Sequence, residues 1–382
     1  MTPQSSTVRR FEPPTFDPDR FVSDLLPTLR ANAARHDAEG TFVADNYGLL
    51  AEHGAFAALV PTELGGGGAR YSQICDVLRR LAHGCGSTAL ALSMHSHLVA
   101  AAVWKYRNGK PGEQLLRKVA DEGTILVSTG AGDWLQSNGQ LRRVDGGYRL
   151  TARKAFCSGS PAGGIFVTSS VYQDPDRGAR VLHFPVARGA AGVSLLDDWD
   201  TLGMRGTGSQ TAVFEDVFVP DQAIALDRPQ QGWHPAWNVV LTVAAPIYTA
   251  PYVGVAEAAC TIARDAARQR AGEYTHLLVG EMENRLVTAQ MALRELVANA
   301  DDLAFEPTTE CANAALIRKT IASQAAIAAV DKAMEVVGGS SIARSRGLER
   351  CFRDVRPSAF HPLSEKPQTS FTGRVSLGLS PI

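Results

Sequence analysis

The stretch Thr201–Pro220 reads TLGMRGTGSQTAVFEDVFVP, and its two halves demand different backbones. The first sets Gly203, Gly206 and Gly208 around Arg205, Thr207 and Ser209, and small residues at that density make a turn. The second runs through β-branched and aromatic residues from Thr211 to Phe218 and stops at Pro220, as a strand does before a residue that lacks an N–H for the ladder. One loop therefore gathers a cation, backbone N–H groups and two hydroxyls, a set suited to an anionic or polar ligand edge. A well-made turn into an edge strand has the same composition, so the loop alone leaves both readings open.

Working outward, the same short-strand texture extends back to Gly123. Ile125–Ser128, Tyr148–Ala152, Ile165–Val171, Val181–Val186 and Val193–Leu196 are short β-branched or aromatic segments separated by Gly, Pro, Asn and Asp. That spacing predicts an all-β sandwich or barrel, and no long helix interrupts it, so a Rossmann alternation is excluded. Helical patterns flank it on both sides. Before it come Phe42–Glu52, Tyr71–Ala82 and the small-residue stretch Thr88–Tyr106, with Gly65–Gly68 as a loop. After it, Ala289, Leu293, Leu296, Ala300 and Leu303 recur at 4, 3, 4, 3, the seam of a packed bundle helix, and the Ala-rich Leu316–Val337 stops at Gly338–Gly339. The fold class is α+β and multi-domain: an N-terminal helical domain over 1–122, a central β domain over 123–232 and a C-terminal four-helix bundle over 233–382. Val239–Ala256 carries no charge and nearly reaches membrane-span length, but Pro246 and Pro251 are expected to break it, and it reads as a buried helix.

Composition narrows the function. The chain has 382 residues and 38 Lys+Arg against 39 Asp+Glu, a net charge of −1, so nothing supplies the basic excess that nucleic-acid binding needs. The six cysteines are scattered without a CxxC pair, which predicts thiols in a reducing compartment and neither a disulfide framework nor a zinc site. Met1–Asp19 holds no apolar core of signal-peptide length. A cytoplasmic protein with no membrane partner is expected. His95 and His97 sit two apart on a helix, a spacing that sends them to different faces, so no metal pair is expected.

Two further segments carry candidate chemistry. Lys154–Ser160 (KAFCSGS) places Phe156 and Ser158 at i and i+2, on one face if the backbone is extended. An aromatic platform beside a hydroxyl suits a flat heteroaromatic ring, although an ordinary strand edge looks the same. His361 follows the charge-rich helix Leu348–Arg356 (LERCFRDVR); a lone histidine reads equally as a structural hydrogen-bonder or as an acid–base group.

From about Phe21 to Gly378 the chain resembles the acyl-CoA dehydrogenase superfamily, on Leu59–Gly66 (LVPTELGG), Leu202–Pro220, Val336–Gly339 (VVGG) and Leu348–Arg356, in the family's order. The resemblance implies homodimers or homotetramers built round FAD or FMN. It implies that the flavin ring lies against Phe156–Ser158, with Ser158 near N5, and that Arg205 and Thr207 line the flavin site. Gly338 and Gly339 would let the backbone approach a neighbouring subunit's flavin.

The departures from the family pattern bear on the reaction. A dehydrogenase of this family needs a carboxylate within hydrogen-bond range of the substrate's α-carbon. The place that Glu takes in the family, eight residues after Asp354, holds Pro362, and the other base position falls in Leu241–Pro246, which has no acid. Glu365 serves only if the loop differs in length; Glu257 lies farther along its helix. The family's acyl-holding stretch reads Thr129-Gly130-Ala131-Gly132-Asp133, and its adenine-gripping pattern has decayed within Arg268–Leu278. One branch of the superfamily, the two-component flavin monooxygenases, has a His where His361 stands and a Ser matching Ser158. These enzymes take reduced flavin from a separate reductase. The branch also has a polar position that His95 matches, with His97 nearly as good. It implies an oxygen-activating site in which an imidazole donates to oxygen or takes a substrate proton. The small, apolar and aromatic faces of His95–Ala101 and Trp237–Thr249 point to a hydrophobic or aromatic substrate. An acyl-CoA dehydrogenase with a displaced base, and a flavin-binding homologue without turnover, remain the other two readings.

Overall fold

The computed structural model describes residues 16–130, 135–269 and 272–382. Five helices come first: α1 (Pro18–Glu39), α2 (Ala44–Glu52), α3 (Tyr71–Leu81), α4 (Gly86–Arg107) and α5 (Glu113–Glu122). Helix α1 starts where Asp17 accepts from the backbone N–H groups of Asp19 and Arg20, and ends at Gly40 in the left-handed conformation, a start and stop that sequence chemistry dictates. Helix α4 is buried on nearly every side, which is why its sequence shows small residues and no amphipathic stripe.

Eight strands follow: β1 (Leu126–Ser128), β2 (Gln140–Val144), β3 (Gly147–Cys157), β4 (Ile165–Asp174), β5 (Gly178–Ala187), β6 (Val193–Leu195), β7 (Gln210–Pro220) and β8 (Leu226–Pro229). They form one mixed sheet in the order β6-β7-β3-β2-β4-β5-β8, with β1 parallel to β4. Strands β7 and β4 lie three steps apart, about 14 Å in a flat sheet. Yet Phe214 of β7 and Phe166 of β4 meet edge to face with centroids 5.5 Å apart. The sheet therefore curls over its own core of Leu150, Phe166, Phe184 and Phe214, which is the sandwich-like closure that the strand spacing predicts. β2 and β8 have no counterpart in the sequence reading. β2 (QLRRV) buries only Leu141, and β8 (LDRP) is short and polar, so neither shows a period.

The C-terminal region holds three long helices, α6 (Ala236–Arg268), α7 (Glu273–Ala298) and α8 (Thr309–Val337), then the short α9 (Leu348–Val355) and α10 (Glu365–Ser376). Helix α9 packs on both α6 and α8, and α10 on α8, so two short helices take the fourth place of the expected four-helix bundle. The seam Ala289, Leu293, Leu296, Ala300 and Leu303 is buried throughout, although α7 ends at Ala298, so Ala300 and Leu303 carry the stripe into the turn beyond it. Among the described residues α6 alone is long and apolar enough to cross a membrane, and its apolar window lies mostly inside the fold. The two prolines do not break it: Pro246 and Pro251 lie within one continuous helix. Tyr71 donates to the Val243 carbonyl at 2.6 Å, satisfying a group one turn before Pro246 where a helix proline loosens the ladder. Among the described residues no disulfide and no metal-ligating cluster is found.

Candidate active site

The site is built from two clusters joined by the turn at 201–209. The first lies where β3 ends. A register shift between Lys154 and Cys157 and a φ of 60° at Phe156 break the extended backbone there, so Phe156 and Ser158 do not share a face by strand alternation; the bulge turns them out instead. Phe156 is 52% exposed and meets Trp199 edge to face, centroids 6.0 Å apart. Ser158 Oγ pairs with Ser209 Oγ at 2.8 Å, Ser209 Oγ with Thr207 Oγ1 at 2.7 Å, and Thr207 Oγ1 donates to the Met204 carbonyl at 2.9 Å. Gly159 N–H donates to the Thr207 carbonyl at 2.9 Å, locking turn to strand end. Strain at an exposed aromatic beside a string of hydroxyls is a platform for a flat heteroaromatic ring, so these residues fit a flavin.

Arg205 does not join this cluster. Its guanidinium donates to the Asp37 carbonyl at 2.8 Å, to Asp200 at 2.9 Å and to the Thr201 carbonyl at 2.9 Å, so it ties the turn to the end of α1. These bonds use Nε and Nη1, and Nη2 makes no hydrogen bond among the described residues. Arg353 completes the joint, holding both Asp37 oxygens at 2.7 and 2.6 Å and Glu349 at 2.7 Å.

The second cluster surrounds His361. The imidazole is half-buried; its Nε2 lies 2.7 Å from Tyr252 Oη, and the Tyr248 ring stacks on it, centroids 4.8 Å apart and 14° between planes. Tyr248 Oη donates to the Pro362 carbonyl at 2.8 Å, and the buried Lys319 donates to the carbonyls of His361 and Leu363, both at 3.0 Å. Burial, with the charge of Lys319 and the nearby His97 adding, lowers the His361 pKa to about 3, so the ring is neutral at pH 7. Lys319 itself is lowered to about 8 by burial.

The clusters connect through Asp354 of α9. Its Oδ1 accepts from Met204 N–H at 2.5 Å, one residue before the hydroxyl-bearing turn. On its other side its charge acts on Tyr252. Burial lifts the Asp354 pKa to about 6, although the Met204 bond pulls the other way.

His95 stands apart from both. Nδ1 accepts from Leu126 N–H at 2.9 Å and Nε2 lies 2.9 Å from the Phe56 carbonyl. Both nitrogens are held by backbone, so His95 is a structural tie between α4, β1 and the loop before α3, and it is withdrawn as a catalytic residue. His97, two residues on, is half-buried, uses Nδ1 on the Ser93 carbonyl at 3.3 Å and acts on His361 electrostatically. Gly338 caps α8 at φ 73° and Gly339 opens onto free space; neither touches the two clusters. Tyr248 and Tyr252 read as core or pocket alike from sequence. Lys319 was missed, although a lone lysine three residues after Leu316, on the buried stripe of an Ala-rich helix, is a signal that such a residue has a partner.

Both substitute carboxylates have other employment. Glu365 is exposed and pairs with Lys366 at 2.7 Å; that bond, then Gln324, hold its pKa low. Glu257 is buried against Arg79 at 2.6 Å, His83 at 2.6 Å and Gln290 at 2.7 Å. Burial pushes its pKa up, but these partners hold it below the usual range. Of the degraded acyl-holding stretch, Ala131, Gly132 and Asp133 lie outside the described residues, while Thr129 is buried with its hydroxyl 2.8 Å from that of Thr168.

Comparison with known proteins agrees with this architecture. Residues 20–123 match the acyl-CoA dehydrogenase N-terminal domain and residues 247–365 the acyl-CoA dehydrogenase C-terminal domain. The chain is 30% identical to the amino sugar nitrososynthase DnmZ of Streptomyces peucetius, covering 94% of this chain and 92% of that one. It is 27% identical to a dibenzothiophene monooxygenase of Rhodococcus erythropolis, covering 96% and 95%. The crystal structure of KijD3 in complex with FMN and dTDP-3-amino-2,3,6-trideoxy-4-keto-3-methyl-D-glucose superposes with a TM-score of 0.87 at 29% identity, covering 97% and 96%. With both of the family's domains matched over more than half of its length and a shared fold, this chain belongs to the acyl-CoA dehydrogenase superfamily.

Proposed function

We propose that this flavin-dependent oxidoreductase is a monooxygenase that uses reduced flavin and molecular oxygen. The observation that carries the reading is the identity of the group in the tyrosine-lined cluster: a neutral imidazole, His361, with the two substitute carboxylates Glu365 and Glu257 paired with Lys366 and Arg79, and Asp354 accepting from Met204 N–H. A dehydrogenase base must be an unpaired carboxylate aimed at the substrate, and neither Glu365 nor Glu257 is one. When bound, flavin supplies the activation of oxygen. The chain's part is to stack the ring on Phe156, present the Ser158 hydroxyl, backed by Ser209 and Thr207, to its edge, and hold His361 between Tyr248 and Tyr252.

On the faces that argue for an aromatic substrate, Leu241, Val243, Ala245 and Ile247 are buried while Leu98, Ala101, Val239 and Val240 are partly exposed. The relatives narrow the substrate class further. A sugar amine carried on a nucleotide, as in the KijD3 complex, is the class we favour, with oxygen transferred to nitrogen; a sulfur heterocycle is the comparison. The reduced flavin is proposed to come from a separate reductase in the cytoplasm.

The test mixes the protein and anaerobically reduced FMN with oxygenated buffer. Reoxidation in two resolved phases is expected, with peroxide release suppressed relative to free flavin, and label from ¹⁸O₂ appearing in a sugar-amine product. One-phase reoxidation with stoichiometric peroxide, together with flavin bleaching by an acyl-CoA that Glu365→Gln abolishes, would return the assignment to the dehydrogenases.

A further inference from the structure

We infer that Tyr252 is a positioning residue that fixes the tautomer of His361, keeping the proton on Nδ1 and making the imidazole a hydrogen-bond donor toward the bound ligands and not a base. The inference rests on the placement of His361 at the reacting centre and goes beyond it, because it decides which of two roles the ring has.

Tyr252 is buried in α6, and among the described residues its hydroxyl makes one hydrogen bond, to His361 Nε2 at 2.7 Å. Burial raises the phenol pKa well above its ordinary value, with the charge of Asp354 adding, so the phenol keeps its proton at any working pH. A buried O–H that donates to nothing loses its hydration without replacement. Asp354 acts on Tyr252 through space, and no hydrogen bond joins the two, so the ring nitrogen is the acceptor within reach. If Nε2 carried the proton instead, two donors would face each other across 2.7 Å or the phenol proton would point at nothing.

A neutral imidazole holds one N–H. With Nε2 accepting, it is on Nδ1, which has no hydrogen-bond partner among the described residues. The ring cannot swing to exchange its nitrogens. Tyr248 lies flat against one face, and Lys319 and Tyr248 hold the carbonyls of His361, Pro362 and Leu363. The titratable groups round the ring are Lys319 from α8, His97 from α4, Tyr248 and Tyr252 from α6 and, beyond Tyr252, Asp354 from α9. No carboxylate among them touches the imidazole to favour its cation. The open nitrogen thus offers a proton in a hydrogen bond to an electron-rich oxygen and has no lone pair with which to take one from a substrate.

Protein labelled with ¹⁵N-histidine reports the tautomer directly through long-range ¹H–¹⁵N correlations, without flavin, the His361 signals being assigned by their loss in His361→Gln. The pattern of a neutral ring protonated on Nδ1 is expected from pH 6 to 8 (about neutral, where the unperturbed group titrates). Tyr252→Phe is expected to move the signals toward the Nε2-protonated or mixed pattern, and Tyr248→Phe to leave them in place. In turnover, Tyr252→Phe should raise uncoupled peroxide release about fivefold, the scale of one neutral hydrogen bond. An Nε2-protonated wild type, or a Tyr252→Phe spectrum identical to wild type, overturns the inference. Should Tyr252→Phe not fold, the wild-type spectrum alone decides. If the tautomer is as stated but reoxidation is single-phase, it is the monooxygenase reading that fails.

Discussion

Six of the described histidines are pushed toward the neutral form by their surroundings, four of them strongly. Burial lowers His95 and His97 to about 4, and burial with neighbouring positive charge lowers His183 and His361 to about 3. Each binds its proton more readily in the unfolded chain, so their contribution to stability is complete above about pH 6.5 and is lost as pH falls toward 4. Asp354 works in the opposite direction. Its folded pKa of about 6 exceeds the unfolded value, so its stabilising contribution is complete below about pH 4 and is lost as pH rises through 6. Asp354→Asn retains an acceptor for Met204 N–H and removes that titration. Denaturant unfolding at several pH values is expected to show the variant more stable than wild type by about 1–3 kcal/mol at pH 7, with the advantage gone near pH 4. A pH-independent difference would mean that Asp354 is not protonated in the native protein above pH 4. Little of this was legible beforehand. The sequence shows nine histidines, and which are buried depends on partners 31 to 109 residues away, such as Leu126 for His95 and Tyr252 for His361.

Elements were legible where one periodicity dominates. The seam of α7 and the amphipathic α3 follow from spacing alone, and the glycine stop of α8 follows from the need for a positive φ at Gly338. The β bulge at Phe156 was not legible, because nothing in KAFCSGS marks where a strand leaves its register. The loop that carries His361 was legible only as a gap between helices; what shapes it is Lys319, reaching from α8 to two of its carbonyls. Lys319→Met keeps the length of the stem and removes both bonds, leaving the carbonyls of His361 and Leu363 without a donor. Loss of about 1–3 kcal/mol is expected, read by denaturant unfolding. Hydrogen exchange should rise in 360–364 and stay unchanged in α3 and the β sheet. Uniformly faster exchange would assign Lys319 to global packing and not to this loop.

At the scale of the whole molecule the three-region layout was visible because its hydrophobic period changes twice along the chain, while the contacts that fix one region on another were not. Beside the apolar core that α3 and α4 share with α6, those contacts include polar ties from residues that look like surface: Arg353 to Asp37, Arg205 to the Asp37 carbonyl, Met204 to Asp354. One exposed apolar surface lies on the helical region. The face of α7 turned away from its seam exposes Tyr274, Leu277, Val287 and Met291, and neighbouring α8 exposes Ile321, five large apolar side chains on the outside of the helical region. Burying apolar area of this kind contributes roughly 25 cal/mol per Å², and contiguous exposed patches mark association surfaces. We propose that a second copy of the chain covers this face. Light scattering coupled to gel filtration is expected to give a mass that is a whole multiple of 40.8 kDa, and Leu277→Glu combined with Met291→Glu to give a smaller species. Because both side chains are solvent-exposed in the single chain, the double variant should keep its helical circular dichroism and its unfolding cooperativity per chain. A wild-type mass of one chain, or a double variant that retains the full assembly, would place the subunit contact elsewhere or remove it.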